Sequence, residues 1–140
     1  MVSIKSLVIL AFGALTSAEY LGIVEITGQW YDEQSCHEQA PIWRIMDYGD
    51  KHIDAAGGRE CNSRGRLLAS NTRRLEGCSS GWNNGYRVCT TSYGANVHKN
   101  GKHQRCIKER TTVYHCLSHV PCWETHRRVM KCEGKWHNDT

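Results

Sequence analysis

Apolar and polar side chains alternate along residues 20–31, which is the period of a β-strand with one buried face. The apolar side of this segment carries Tyr20, Val24, Ile26 and Trp30. Residues 43–46 follow as a shorter apolar segment that begins soon after Pro41 and ends at the turn-rich residues 47–50. We therefore predict one long strand over 20–31 and a short one over 43–46.

Turn residues and β-branched residues divide the middle of the chain. Gly, Ser and Asn dominate residues 77–85, which predicts a loop because these residues tolerate positive φ or bond their own backbone. Strands are predicted over 86–93 and over 104–116, where Thr, Val and Tyr are frequent. The intervening residues 94–103 contain the turn signal Asn100-Gly101, so they are predicted to be the loop of a hairpin.

Two segments carry helix signals. Leucines lie among arginines from residue 66 to 75, with Gly65 before and Gly77 after, which predicts a short helix. Residues 121–132 begin with Pro121, gather cations near their end and are followed by Gly134, which predicts the better helix. The expected fold class is α+β, a small disulfide-rich domain with an antiparallel sheet of about four strands and one or two short helices.

Residues 1–18 have the pattern of a secretory signal peptide. Lys5 precedes an apolar run over residues 6–15, and small side chains lead up to Glu19. The run is shorter than the roughly 20 apolar residues that span a bilayer. We predict that residues 1–18 are removed, that 19–140 form a single domain, and that no transmembrane segment follows.

Eight cysteines lie after this segment: Cys36, Cys61, Cys78, Cys89, Cys106, Cys116, Cys122 and Cys132. An even count in a small exported domain predicts a disulfide framework, in which each bond contributes about 2 to 4 kcal/mol. Eight cysteines allow 105 pairings, and the sequence leaves the choice open. If 104–116 is one extended strand, Cys106 and Cys116 lie about 30 Å apart and bond different partners.

A zinc cluster is the alternative for some of these thiols. Cys116, His119, Cys122 and His126 are closely spaced and are residue types that zinc prefers. Disulfides are the preferred interpretation, because an exported chain oxidises its thiols. We accordingly expect no metal and no cofactor.

Charge is distributed unevenly along the chain. Residues 19–58 hold eight acidic and two basic side chains, a charge of −6, whereas 59–140 hold fifteen basic and six acidic ones, a charge of +9. Arginines of the basic part are candidates to bind phosphate groups of a polyanion such as nucleic acid, lipid head groups or a glycan: Arg64, Arg66, Arg73 and Arg74. Trp82 in the predicted loop is a further contact candidate, because tryptophan is enriched at interface hot spots.

Histidines raise the possibility of catalysis. His98, His103 and His115 are near lysines and arginines in sequence, and RNA cleavage without metal needs a general acid, a general base and a cation for the phosphate. No catalytic motif accompanies them. We therefore predict no catalytic residue and keep a secreted ribonuclease as the enzyme alternative.

The layout of signal peptide, single domain and eight cysteines resembles small secreted cysteine-rich effectors of plant-associated fungi. Trp43, Arg44 and Ile45 are similar to a motif of the LARS family, the Leptosphaeria avirulence and suppressing effectors, in which a further Arg stands where this chain has Met46. The resemblance implies a four-stranded antiparallel sheet with helical connections that is braced by disulfides. It also implies action through contact with host components and detection by plant resistance proteins, with no catalytic residue.

The sequence thus predicts a secreted, extracellular monomer that acts as a virulence or avirulence factor. Its expected partner is a host protein or another host surface component, and entry into host cells stays open. The alternative is a secreted ribonuclease-like protein, a killer toxin or an antimicrobial protein.

Overall fold

The computed structural model describes residues 19–50, 65–119 and 121–140, with 110–119 described by their backbone alone. The predicted signal peptide, residues 1–18, lies outside the described residues. The described part of the chain contains nine strands and no helix: β1 Leu21–Asp32, β2 Ser35–Asp47, β3 Arg66–Asn71, β4 Cys78–Ser79, β5 Arg87–Thr90, β6 Gly94–Lys99, β7 Lys102–His119, β8 Cys122–Cys132 and β9 His137–Asn138. None of the described residues forms a helix that could cross a membrane.

All nine strands join one antiparallel sheet. Its order is β3-β2-β1-β8-β7-β6-β5-β4, and the short β9 pairs with the beginning of β7. The first third of β7 pairs with β6, and most of β7 pairs with β8 on its other side. Strand β9 therefore continues the side of β7 that β8 occupies, and the C-terminal residues lie beside β6 and β7.

The α+β prediction is wrong, because both predicted helices are strands. Residues 122–132 form β8, whose buried residues are Cys122, His126, Arg128, Met130 and Cys132. The pairing of β8 with β1 shifts register between Ile23 and Val24, so Arg128 and Met130 lie on opposite faces of the sheet. This shift and the polar residues His126 and Arg128 hide the strand period in the sequence. Residues 66–71 of the other segment form β3, whose buried positions are Ala69 and Asn71. The predicted loop 94–103 likewise contains β6, and only its Asn100-Gly101 turn is retained.

The sheet curls into a half-barrel. The loop between β4 and β5 lies against the edge strand β3, where the side-chain oxygen of Asn83 accepts a hydrogen bond from the Ser70 amide at 2.9 Å. The side-chain amide of Asn84 donates to the Leu68 carbonyl at 2.7 Å. These amides satisfy backbone groups that an edge strand otherwise leaves unpaired.

The main core fills the inside of the curl. It gathers buried side chains from strands along the whole sheet: Leu21, Ile23, Trp43, Ile45, Ala69, Val88, Ala95, Val97, Cys106, Met130 and Cys132. A second cluster lies on the opposite face of β1 and β2, where Val24, Ile26, Met46 and Tyr48 are buried. Strand β1 is thus covered on both faces over its first half, which differs from the predicted strand with one buried face.

A buried ion pair completes the second cluster. The Arg128 side chain is 2% exposed and forms two bonds to Glu109, Nε to Oε2 at 2.5 Å and Nη2 to Oε1 at 2.9 Å. Its guanidinium carbon lies 5.1 Å from the centre of the Tyr48 ring. Burial by itself lowers the pKa of Arg128, but the hydrogen bond that it donates to Glu109 helps to raise the pKa above the ordinary value, so this arginine stays charged inside the fold.

Three disulfides join six of the cysteines, which confirms the predicted crosslinking for these residues: Cys36–Cys122, Cys78–Cys89 and Cys106–Cys132. Cys61 lies outside the described residues, and the side chain of Cys116 is not described. The bond from Cys106 runs to a strand beside it, as the extended form of β7 requires. Cys122 is crosslinked to Cys36, so its sulfur is not a free thiolate of the kind that the alternative zinc cluster required.

Candidate functional site

The outward-facing surface of β6, β7 and the C-terminal segment forms one continuous face, which we call the outer face. Along β7, Gln104 and Cys106 point into the core and are fully buried, whereas His103, Arg105 and Ile107 alternate with them and face outwards. The register places His98 opposite His103, Asn96 opposite Arg105 and Gly94 opposite Ile107. Lys131 lies opposite Ile107 on the other side of β7.

Three histidines form a row across the outer face. His98 in β6, His103 in β7 and His137 in β9 are direct cross-strand partners in turn. The ring centres of His98 and His103 are 5.5 Å apart, and those of His103 and His137 are also 5.5 Å apart. The Asn100-Gly101 turn sets this arrangement, because it fixes the register in which β7 returns along β6.

Asp139 binds the first two histidines through a single oxygen. His103 Nδ1 lies 2.7 Å and His98 Nδ1 lies 3.2 Å from Asp139 Oδ1. A carboxylate only accepts hydrogen bonds, so each of these nitrogens carries a proton directed at the same oxygen. The hydrogen bond from His103 is the main reason that the pKa of Asp139 is lowered, and the bond from His98 adds to it.

Glu133 connects the histidines to a neighbouring groove. Its Oε1 is hydrogen-bonded to His137 Nε2, and its backbone amide donates to the Arg105 carbonyl at 3.0 Å. The same residue lines an open groove of about 560 Å³ on the outer face. The walls are formed by Tyr20, Tyr93, Ile107 and Cys132, and charged side chains are supplied by Arg105, Lys131 and Glu133.

The groove exposes apolar surface between charges. Ile107 is 58% exposed and Tyr93 is 45% exposed. Two cations and one carboxylate give the groove an excess of positive charge. An apolar cavity with a few polar groups at its border is the usual form of a ligand site.

The predicted polyanion site is not assembled as one patch by the described residues. Arg66 begins β3 and binds Asp47 at 2.9 Å, a hydrogen bond that raises the pKa of the arginine. Arg73 follows the other end of β3 and donates to Ser80 Oγ at 2.7 Å. Arg74 is exposed beside it, and Arg64 lies outside the described residues.

The tryptophan candidates take structural positions. Trp82 is half-buried and packs against the main core, where it anchors the loop that closes the sheet against β3. Trp43 of the Trp-Arg motif is 9% exposed and belongs to the same core. Arg44 lies opposite Ser70 of β3. A contact role for Trp82 stays a prediction, and its packing already accounts for a large side chain in a Gly-rich loop.

The residues of the ribonuclease alternative are only partly brought together. His98 and His103 converge, but Lys99 lies on the other face of β6, where its Nζ donates to the Asn84 carbonyl and lies 4.6 Å from the centre of the Tyr86 ring. The side chains of Arg110 and His115 are not described. Sequence reasoning missed His137 and Asp139, because their approach depends on the pairing of β9 with β7.

Comparison with known proteins gave no match to any protein family, curated protein or solved structure. No enzyme family is therefore indicated for the chain.

Proposed function

We propose that the protein is a secreted recognition protein, of the effector type that the sequence suggests, and that it binds a partner protein through the groove of the outer face. The observation that carries this proposal is the exposure of Tyr93 and Ile107 between Arg105 and Lys131. Disulfides persist in oxidising compartments outside the cytosol, so the three crosslinks support an extracellular protein.

A rigid support favours recognition by this groove. Tyr93 lies in the turn between β5 and β6, and its carbonyl accepts a hydrogen bond from the Lys108 amide at 3.1 Å. The Cys106–Cys132 disulfide joins β7 to β8 beneath the groove. Binding then costs little ordering of the backbone, because the walls are held before the partner arrives.

The chemistry of the groove supports a partner of a particular kind. An aliphatic or aromatic side chain of the partner would fill the space between Tyr93 and Ile107, and a neighbouring acidic group would meet Arg105 or Lys131. Burying an apolar anchor supplies affinity, whereas opposite charges mainly give orientation and rate of association. We therefore propose a protruding or extended segment of a host protein that carries an apolar anchor beside an aspartate or glutamate.

The experiment is a selection of displayed peptides on the oxidised protein, followed by affinity measurement for the Ile107→Asp variant. We expect selected peptides to combine an apolar anchor with an acid and to bind at least about tenfold more weakly to Ile107→Asp, since a charge in an interface centre costs more than 1.4 kcal/mol. Leu67→Asp is the matched control, because Leu67 is 50% exposed on β3, away from the groove. That variant should bind like the parent protein.

Two results would overturn the proposal. If Ile107→Asp and Leu67→Asp lose binding equally, the peptides bind outside the groove or bind nonspecifically. Hydrolysis of RNA by the purified protein that disappears in His103→Ala would favour the ribonuclease alternative instead.

A further inference from the structure

We propose that His98, His103 and Asp139 form a binding site for a divalent transition metal ion of the zinc type. The potential ligand atoms of the three residues all lie within 4.8 Å of one another. The inference departs from the sequence-based expectation of no metal. It does not depend on the proposed recognition by the groove.

The geometry of the three side chains is close to that of a bound ion. Zinc lies about 2.0 to 2.1 Å from its ligands, so two ligands of a tetrahedral ion are separated by about 3.3 Å. Asp139 Oδ1 lies 3.2 Å from His98 Nδ1 and 2.7 Å from His103 Nδ1. Small rotations of the side chains would bring the three atoms around one point, and the ion would replace the two protons that now point at the carboxylate.

The donor set selects the class of ion. Two imidazole nitrogens and one carboxylate oxygen suit zinc, copper and nickel, whereas calcium and magnesium prefer sites built from oxygen alone. Three protein ligands leave a coordination position for water or for a donor from a ligand. The side chains of His98 and His103 are each 18% exposed and that of Asp139 is 28% exposed, so an ion can reach the site from solvent.

The surroundings position the proposed ligands. The ring of His137 stacks on His103 at an interplanar angle of 29°, and Glu133 is hydrogen-bonded to His137. The stacked ring limits the rotation of the His103 side chain. The ligands come from β6, from β7 and from the residue after β9, so a bound ion would crosslink the C-terminal segment to the sheet.

The test is calorimetric titration of the oxidised full protein with Zn²⁺. We expect one ion per chain and a loss of affinity of at least about 100-fold in His103→Ala, because removing a ligand exceeds the 10–100-fold effect of removing an outer contact. His98→Ala is a second variant with the same expectation. His37→Ala is the matched control, because His37 is an exposed histidine on β2 that binds Ser35 and lies outside the cluster.

A second readout separates binding at this site from a nonspecific surface effect. Zn²⁺ should raise the thermal unfolding midpoint of the parent protein and of His37→Ala, because a ligand that binds only the folded state stabilises it. The midpoints of His98→Ala and His103→Ala should not respond, and Mg²⁺ should affect none of the four proteins. The proposal is overturned if the parent protein fails to bind Zn²⁺ at submillimolar concentration, or if His37→Ala weakens binding as much as His103→Ala.

Discussion

The Cys36–Cys122 disulfide should contribute more stability than the Cys78–Cys89 disulfide. The first closes 86 residues of separation and joins the end of the β1–β2 hairpin to β8, whereas the second closes 11 residues between the paired strands β4 and β5. Loop-closure entropy grows with the logarithm of this separation, and it gives about 4.6 kcal/mol for the long loop and about 2.8 kcal/mol for the short one.

The burial of the cysteines also predicts that losing the Cys36–Cys122 disulfide costs more stability. Cys122 is fully buried, so its loss also removes packing, whereas Cys78 is exposed. We therefore expect Cys36→Ala/Cys122→Ala to lower the free energy of unfolding by about 2 kcal/mol more than Cys78→Ala/Cys89→Ala. A difference of this size is a large share of the roughly 5 to 15 kcal/mol by which a domain is stable.

Guanidinium unfolding followed by tryptophan fluorescence measures both variants. The free energies are compared by linear extrapolation to water, provided that the dependence on denaturant is the same for each protein. Equal costs for the two pairs, or a larger cost for the Cys78–Cys89 pair, would refute the view that closure of the long loop dominates.

Three substitutions test the buried ion pair and the close approach of strands. Glu109→Ala should lower the free energy of unfolding by about 3 kcal/mol, because it leaves the Arg128 charge without its carboxylate inside the fold, and a cost below about 1 kcal/mol in thermal or denaturant unfolding would contradict this. Gly94→Ala should cost about 3 kcal/mol, because the added Cβ would lie 2.9 Å from the Ile107 Cα and still closer to the Cys106 carbonyl. Gly101→Ala should lower the free energy of unfolding by only about 1 kcal/mol, since the φ of Gly101 is +74° but nothing lies within 4 Å of the added Cβ. A larger cost for Gly101→Ala than for Gly94→Ala would show that the backbone angle matters more than the available space.

The sequence predicted the strands that show apolar alternation or are rich in β-branched and aromatic residues. Residues 20–31 and 104–116 are found within or close to β1 and β7, and the Asn100-Gly101 turn lies between β6 and β7 as its residue types indicate. Strand β2 is longer than the predicted 43–46, because its first half pairs with β1 through exposed residues that carry no apolar alternation.

Strand β8 was mistaken for a helix for a physical reason. Its buried positions include the polar residues His126 and Arg128, which bind Glu124 and Glu109. A register shift against β1 also interrupts the alternation of its two faces. Glu109 lies within an irregularity in the pairing of β7 with β8, between Lys108 and Thr112. Glu109 is 19 residues from Arg128 in sequence, so local periodicity does not reveal this ion pair. The helix signals at the two ends of the segment therefore decided the prediction.

The histidine and aspartate cluster was also only partly predictable, because one of its members comes from a distant part of the sequence. His98 and His103 could be paired from the hairpin turn between them, and the sequence did single out both. Asp139 joins them only because β9 returns to β7, where Asn138 lies opposite Lys102 and the Asp139 amide donates to the Gly101 carbonyl at 3.0 Å. The groove also depends on tertiary packing, because Tyr20 and Tyr93 are 73 residues apart in sequence.

Recognition through the outer face is tested most directly by mapping where a selected peptide binds. The measurement is a titration of the ¹⁵N-labelled oxidised protein with that peptide, followed by amide chemical shifts. We predict that the shifts concentrate at residues 93–94, 105–107 and 131–133, which surround the groove. Shifts confined to the β1–β2 hairpin end or to β3, with the groove unchanged, would contradict the account.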